Sequence, residues 1–121
     1  MTTDIATPVA ASSRWAEVAL VLDVSVSQES AVGEIERVLT RPPLRVQYVL
    51  WNRSAMATPA FSVLLHQGNQ LLDRHPYPGG LGPGHALVSY FRLPRPRGGP
   101  SELTVLIDEQ PAVARTVALP R

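Results

Sequence analysis

Between Leu44 and Leu65 the chain reads LRVQYVLWNRSAMATPAFSVLL, two alternating apolar stretches joined by a polar, small-residue link. Leu44, Val46, Tyr48 and Leu50 alternate with Arg45, Gln47, Val49 and Trp51, the period-two pattern of a strand that buries one face. Asn52 to Pro59 breaks the alternation, and Phe61, Val63 and Leu65 resume it. Each strand hides a single face, so the pair requires a second layer to cover it.

The same patterning recurs on both sides of this segment. Trp15 to Val26 reads as a first strand, with Val18, Leu20, Leu22, Val24 and Val26 on one face and Glu17, Ala19, Val21, Asp23 and Ser25 on the other. His66-Gln67-Gly68-Asn69 is a hairpin signal leading into a short strand over Gln70 to Arg74. Residues 76–85, PYPGGLGPGH, read as a loop by composition. His85 to Leu93 is a strand with Leu87, Phe91 and Leu93 on one side and Ala86, Val88 and Tyr90 on the other. After the turn PRPRGGP, Glu102 to Ile107 turns Leu103, Val105 and Ile107 inward, and Ala112 to Leu119 adds an edge strand. Gln28 to Arg41 is ambiguous. Val32, Ile35 and Leu39 fit a short helix near 29–39, while Ile35, Arg37 and Leu39 also alternate as in a strand. The helix is favoured, although Gly33 costs it about 1 kcal/mol against Ala. Pro42-Pro43 ends either one.

Seven to eight short strands in 121 residues predict an all-β sandwich of antiparallel strands, immunoglobulin-like or fibronectin-type, over residues 14–121. Twelve prolines and eight glycines punctuate the chain too often for long helices. Residues 1–13 mix Thr, Ser, Ala and Pro without periodicity and read as a disordered arm. Eleven basic against ten acidic residues leave a formal charge of +1, which provides no global field for nucleic acid or a membrane surface. The chain has no cysteine, so disulfides, thiolate catalysis and zinc–thiolate sites are excluded. The N-terminus lacks a basic segment followed by an apolar run, and Val18 to Leu22 is far too short to span a bilayer. The expected setting is cytoplasmic or particle-associated.

From Leu44 onward the order of features resembles the bacterial Ig-like CARDB module (cell-adhesion-related domain found in bacteria). Leu50-Trp51-Asn52 stands where that family has an aliphatic residue, any residue and Asn, and Arg53-Ser54-Ala55 forms the small-residue link. Phe61-Ser62-Val63-Leu64-Leu65 is its aromatic-x-Val-x-Leu strand, followed by Gly68 and Leu71-Leu72. Gly80-Leu81-Gly82-Pro83-Gly84 matches a loop, and Leu103-Thr104-Val105-Leu106-Ile107-Asp108 a strand closing on Asp. The chain departs from the pattern after Asp108, where Arg115-Thr116-Val117 stand in place of closing Glu and Asn residues. The resemblance spans about residues 44–115 and implies a sandwich that acts as a spacer, adhesion unit or interaction platform, and similar sandwiches recur in phage particles.

No catalytic signature stands out. Ser and His occur without a Gly-x-Ser-x-Gly elbow, and the glycines of 79–84 lack the Lys-Ser/Thr of a phosphate loop and lead into a strand. Their expected role is to let the chain cross between sheets. His66, His75 and His85 do not pair at ligand spacing, and Asp73, Asp108 and Glu109 read as turn caps and edge charges before calcium ligands. Neither a cofactor nor a metal is expected. Asn52-Arg53-Ser54 is formally a glycosylation sequon.

The candidate site is a surface. Trp51 falls on the less apolar face of its strand beside Val49, and Val88 and Tyr90 share the outer face of a later strand. Core packing is the ordinary role of such rings, but if those strands adjoin, the four side chains form an exposed apolar patch suited to a protein partner. Arg95 and Arg97, in the Pro-rich turn after Arg92, are a second contact candidate. The expected function is a non-enzymatic structural or protein-interaction module in a homo-oligomer or larger assembly. A phage or particle surface protein is the alternative within that class, and a small ligand carrier or enzyme using the 76–85 loop is the alternative outside it.

Overall fold

The computed structural model describes residues 15–28, 43–93 and 102–119. Seven strands occur in them: β1 (Leu20–Gln28), β2 (Leu44–Asn52), β3 (Phe61–Gln67), β4 (Gln70–Tyr77), β5 (Ala86–Leu93), β6 (Glu102–Ile107) and β7 (Gln110–Ala118). They form two antiparallel sheets, a three-stranded one in the order β1-β2-β5 and a four-stranded one in the order β4-β3-β6-β7. The predicted all-β sandwich is therefore the observed architecture. The arm over 1–13, the short helix near 29–39, and Arg95 and Arg97 lie outside the described residues.

Period-two alternation decides the layering. Along β2, Leu44, Val46, Tyr48 and Leu50 are fully buried, and across the sandwich they face Phe61, Val63 and Leu65 of β3 and Leu103, Val105 and Ile107 of β6. Leu22, Phe91 and Leu93 complete the buried layer on the three-stranded sheet. Burying such a side chain contributes about 1.5–3 kcal/mol, so this core supplies most of what opposes chain entropy. At one side the sheets close on each other where β1 lies beside β7.

Three readings from sequence need correction. Trp15 does not open the first strand. It sits in a short helical turn, with the Val18 amide donating to the Trp15 carbonyl at 3.0 Å, and β1 begins at Leu20. From there Trp15 packs edge-on against Phe61 at 6.3 Å between ring centroids, closing one end of the core. The strand after the Gly68 hairpin runs on to Tyr77, so the loop starts later than its composition suggests; Pro76 is tolerated because β4 is an edge strand. Pro111 is likewise inside edge strand β7, which starts at Gln110. Gly68 takes the positive φ of 61° that its hairpin requires.

Three connections carry the chain between sheets, β2–β3, β4–β5 and β5–β6, and Asn52 ties the first two together. Its buried side chain donates from Nδ2 to the carbonyls of Met56 (2.7 Å) and Leu81 (3.0 Å), while Oδ1 accepts from the Ser54 amide (3.0 Å) and hydroxyl (2.5 Å). The 79–84 glycines allow the β4–β5 loop to press against the β2–β3 link. Gly80 has φ +68°, and a Cβ there would stand 2.2 Å from the Thr58 carbonyl oxygen. The expected crossing role of this loop is what the structure shows. A glycan on Asn52 is incompatible with this arrangement, since the sequon nitrogen is a buried structural donor.

Candidate functional site

Register brings the four predicted patch residues together. β2 is the central strand of its sheet, and Val49 lies directly opposite Val88 of β5. Trp51 pairs with Val21 of β1 on one side and Ala86 of β5 on the other, and Gln47 pairs with Tyr90. The outer face of β1-β2-β5 thus carries Val21, Trp51 and Ala86 in one row, Asp23, Val49 and Val88 in the next, and Ser25, Gln47 and Tyr90 in a third. Val88 is 64 % exposed and Trp51 and Tyr90 are each 43 % exposed, whereas Val49 is half-buried among them. Large apolar side chains side by side on one face form a contiguous patch rather than scattered surface hydrophobics.

Two arginines lie over the two aromatic rings. The Arg53 guanidinium stands 4.7 Å from the Trp51 ring centroid, and that of Arg45 stands 4.1 Å from the Tyr90 ring. Each cation–π contact contributes about 0.5–1 kcal/mol at an exposed site and holds the ring in one orientation. Arg45 Nε is buried without a hydrogen-bond partner beside that ring. Sequence reasoning did not include Val21, Arg45 or Arg53 in this surface. Arg53 follows Trp51 by two residues, a spacing that shares a face and was legible. Arg45 and Tyr90 belong to different strands, and only the ladder joins them.

The remaining candidates are absorbed into the fold. Asp108 Oδ1 accepts from the Ser62 and Glu109 amides, both at 2.8 Å, tying the β6–β7 turn to the start of β3. Asp73 Oδ1 accepts from the Arg74 amide at 2.7 Å, and Arg74 Nε donates to Ser62 Oγ at 3.0 Å. His75 is drawn between the sheets, where its ring stacks on Phe91 at 4.0 Å and its Nδ1 meets the Tyr48 hydroxyl at 2.7 Å. Tyr77 stacks on Phe61 and bonds the same Tyr48 oxygen at 2.5 Å. Burial pushes the Tyr48 hydroxyl far above its ordinary range, and the bond to Tyr77 adds to that shift. Among the described residues no three His, Asp or Glu side chains come together as a metal site, and no helix is long and apolar enough to cross a membrane.

The 76–85 loop spends its polar groups on docking. The Leu81 amide donates to Thr58 Oγ1 (2.8 Å), the Leu81 carbonyl accepts from the Thr58 amide (2.9 Å), and the Gly84 amide donates to the Asn52 carbonyl (2.8 Å). Leu81 itself is buried. A shallow, open depression of about 230 Å³ near Arg74 and Asp108 takes only Pro76 and Pro78 from this segment. Of its polar members, Ser62, Arg74, Asp108 and Glu109, the first three already bond one another or nearby backbone.

Comparison with protein-family models, with curated proteins and with solved structures returned no match.

Proposed function

We propose that this chain is a non-enzymatic protein-interaction module, immunoglobulin-like or fibronectin-type and of CARDB-like character, that works in a homo-oligomer or larger assembly. The outer face of β1-β2-β5 is its binding surface. The observation that carries this reading is the contiguity of Val21, Trp51, Val49, Val88 and Tyr90 on one side of a sheet whose other side is the core. The three-plus-four strand order supports the immunoglobulin-like assignment. A net charge of +1 leaves copies of the chain little mutual repulsion and supports self-assembly over binding to nucleic acid.

Trp51 is the anchor because it is the largest exposed ring and stands on the central strand of the sheet. Sedimentation velocity of the full chain over a broad concentration range tests the reading. Trp51→Ala is expected to cost the assembly about 2 kcal/mol or more, roughly thirtyfold in Kd, with the melting temperature nearly unchanged. Assemblies of the same size and affinity in both proteins would remove the face from consideration. A large fall in melting temperature would make Trp51 a packing residue instead.

A further inference from the structure

Among the described residues the two sheets have four edges, and three of them carry the features that prevent strand addition. β4 contains Pro76, Asp73 and Arg74, and its register with β3 shifts at Leu65/His66. β7 contains Pro111 and Arg115, and its register with β6 shifts at Leu106/Ile107. β1 carries Asp23 and lies beside β7 of the other sheet. Pro, inward kinks and mid-strand charges are the ordinary means of blunting an edge.

β5 has none of them. Its residues 86–93, ALVSYFRL, include neither Pro nor Gly, pair with β2 without a register shift, and bear a single charge near the end, at Arg92. The chain also contains no lysine, the residue most used to guard an edge. Val88, in the middle of this strand, has the greatest exposure of the large apolar residues described.

The direction of the unpaired backbone groups follows from one hydrogen bond. The Asn52 amide donates to the His85 carbonyl at 2.9 Å, and the Arg53 amide points the other way, to Ala19, at 2.8 Å. Alternation along an antiparallel ladder then places Leu50 with Leu87, Tyr48 with Ser89 and Val46 with Phe91 in the bonded pairs. The amides and carbonyls of Ala86, Val88 and Tyr90 therefore point away from β2, where no described strand pairs with them.

We infer that the β5 edge is the homodimer seam: β5 of a second copy pairs with it antiparallel across a two-fold axis and joins two three-stranded sheets into one of six strands. The inference rests on the reading of the chain as a self-assembling module. Outer faces stay on one side only if paired residue numbers sum to an even value. An axis through Ser89 meets that condition. It sets Val88 opposite Tyr90 of the second copy, a β-branched–aromatic pair, and Ala86 opposite Arg92, so no like charges meet. The Val88 and Tyr90 amides and carbonyls then bond across the seam, and the two apolar faces become one continuous stripe. A second copy is favoured over a foreign strand because the segment is complementary to itself in this register and the chain is nearly neutral.

Sedimentation equilibrium of the full-length protein provides the test. Wild type is expected to show a reversible monomer–dimer equilibrium, with dimers associating further at higher concentration. Val88→Pro removes an outward amide without touching the β2 ladder, and Val88→Lys keeps that amide but places charge at the seam. Both are expected to raise the dimer dissociation constant about tenfold or more, with the melting temperature within a few degrees of wild type. Val88→Thr keeps the amide and a β-branched side chain, and retains the dimer. Trp51 lies on β2, away from the seam, so Trp51→Ala retains the dimer and weakens only the association of dimers through the outer face. A wild-type protein that is monomeric throughout, or a dimer equally strong in Val88→Pro and Val88→Lys, overturns the inference. A dimer lost in Trp51→Ala and Val88→Thr but kept in Val88→Lys overturns it too and leaves the face as the contact. The converse pattern upholds the seam; if Trp51→Ala also leaves the association of dimers unchanged, the face is removed from self-assembly while the seam stands.

Discussion

The Tyr48 hydroxyl, on the inner face of β2, meets His75 Nδ1 of β4 at 2.7 Å, so a polar bridge crosses the sandwich inside an otherwise apolar layer. Tyr48 has one proton to give, and it also bonds the Tyr77 hydroxyl; the three side chains share a chain of hydrogen bonds walled by Phe61 and Phe91. Satisfied in this way, a buried hydroxyl costs little, whereas ionising it there costs a great deal.

Alkaline stability should report on this bridge. Tyr48 is held protonated far above its ordinary value because burial and the Tyr77 bond disfavour the phenolate. In the unfolded chain the same group loses its proton near pH 10. Above about pH 10 the unfolded chain therefore binds fewer protons than the native one, and stability falls as pH rises. Below that value the contribution is constant. Urea midpoints measured from about pH 8 to pH 11.5 should decline in the alkaline part for wild type and decline less steeply for Tyr48→Phe. Equal slopes would mean that Tyr48 ionises as readily folded as unfolded. At neutral pH the Phe variant should cost about 1–2 kcal/mol, the value of a lost buried hydrogen bond.

The two glycines of the β4–β5 loop with positive φ should behave differently on substitution. Gly80 and Gly84 have φ of +68° and +73°, but a Cβ at Gly80 meets the Thr58 and Pro59 carbonyl oxygens at 2.2 and 2.9 Å, whereas at Gly84 nothing lies within 4 Å. Gly84→Ala should cost about 1–2 kcal/mol, from backbone conformation alone. Gly80→Ala should cost clearly more, because it also forces the loop off the β2–β3 link. Chemical denaturation of both variants gives the comparison, and equal losses would show that the loop does not press on Thr58 as described.

Trp15 sets the point at which the folded unit can be shortened. Its ring is 8 % exposed and packs on Phe61. Removing residues 1–13 should leave the melting temperature nearly unchanged, while Trp15→Ala should cost about 3–5 kcal/mol, as expected for a buried aromatic. Differential scanning calorimetry separates the two. A large loss on deleting 1–13 alone would make that segment integral to the fold.

The alternation of Leu44, Val46, Tyr48 and Leu50, of Phe61, Val63 and Leu65, and of Leu103, Val105 and Ile107 determined by itself which faces are buried. A strand of period two has only two faces, and each apolar set leaves a single way to hide it. The same rule put Trp51, Val88 and Tyr90 on the opposite faces of their strands, and their exposure in the folded chain shows that the core does not cover them. Local patterning was less informative wherever position in the sheet outweighed composition. Pro76 and Pro111 look like loop residues, yet each sits in an edge strand, where a missing amide costs no ladder bond. Trp15 looks like a strand residue, yet a helical turn delivers it to Phe61.

What only the tertiary structure decided is which strands are neighbours. Every strand here carries nearly the same alternation, and β2 pairs with β5 although Trp51 and Ala86, their paired residues nearest in sequence, stand 35 positions apart. Nothing local selects one partner over another. Placing β2 between β1 and β5 set Val49 opposite Val88, laid Arg45 over Tyr90, and left β5 as an edge. The surface and the seam proposed for it are consequences of that order, because a face needs only alternation but a patch needs adjacency.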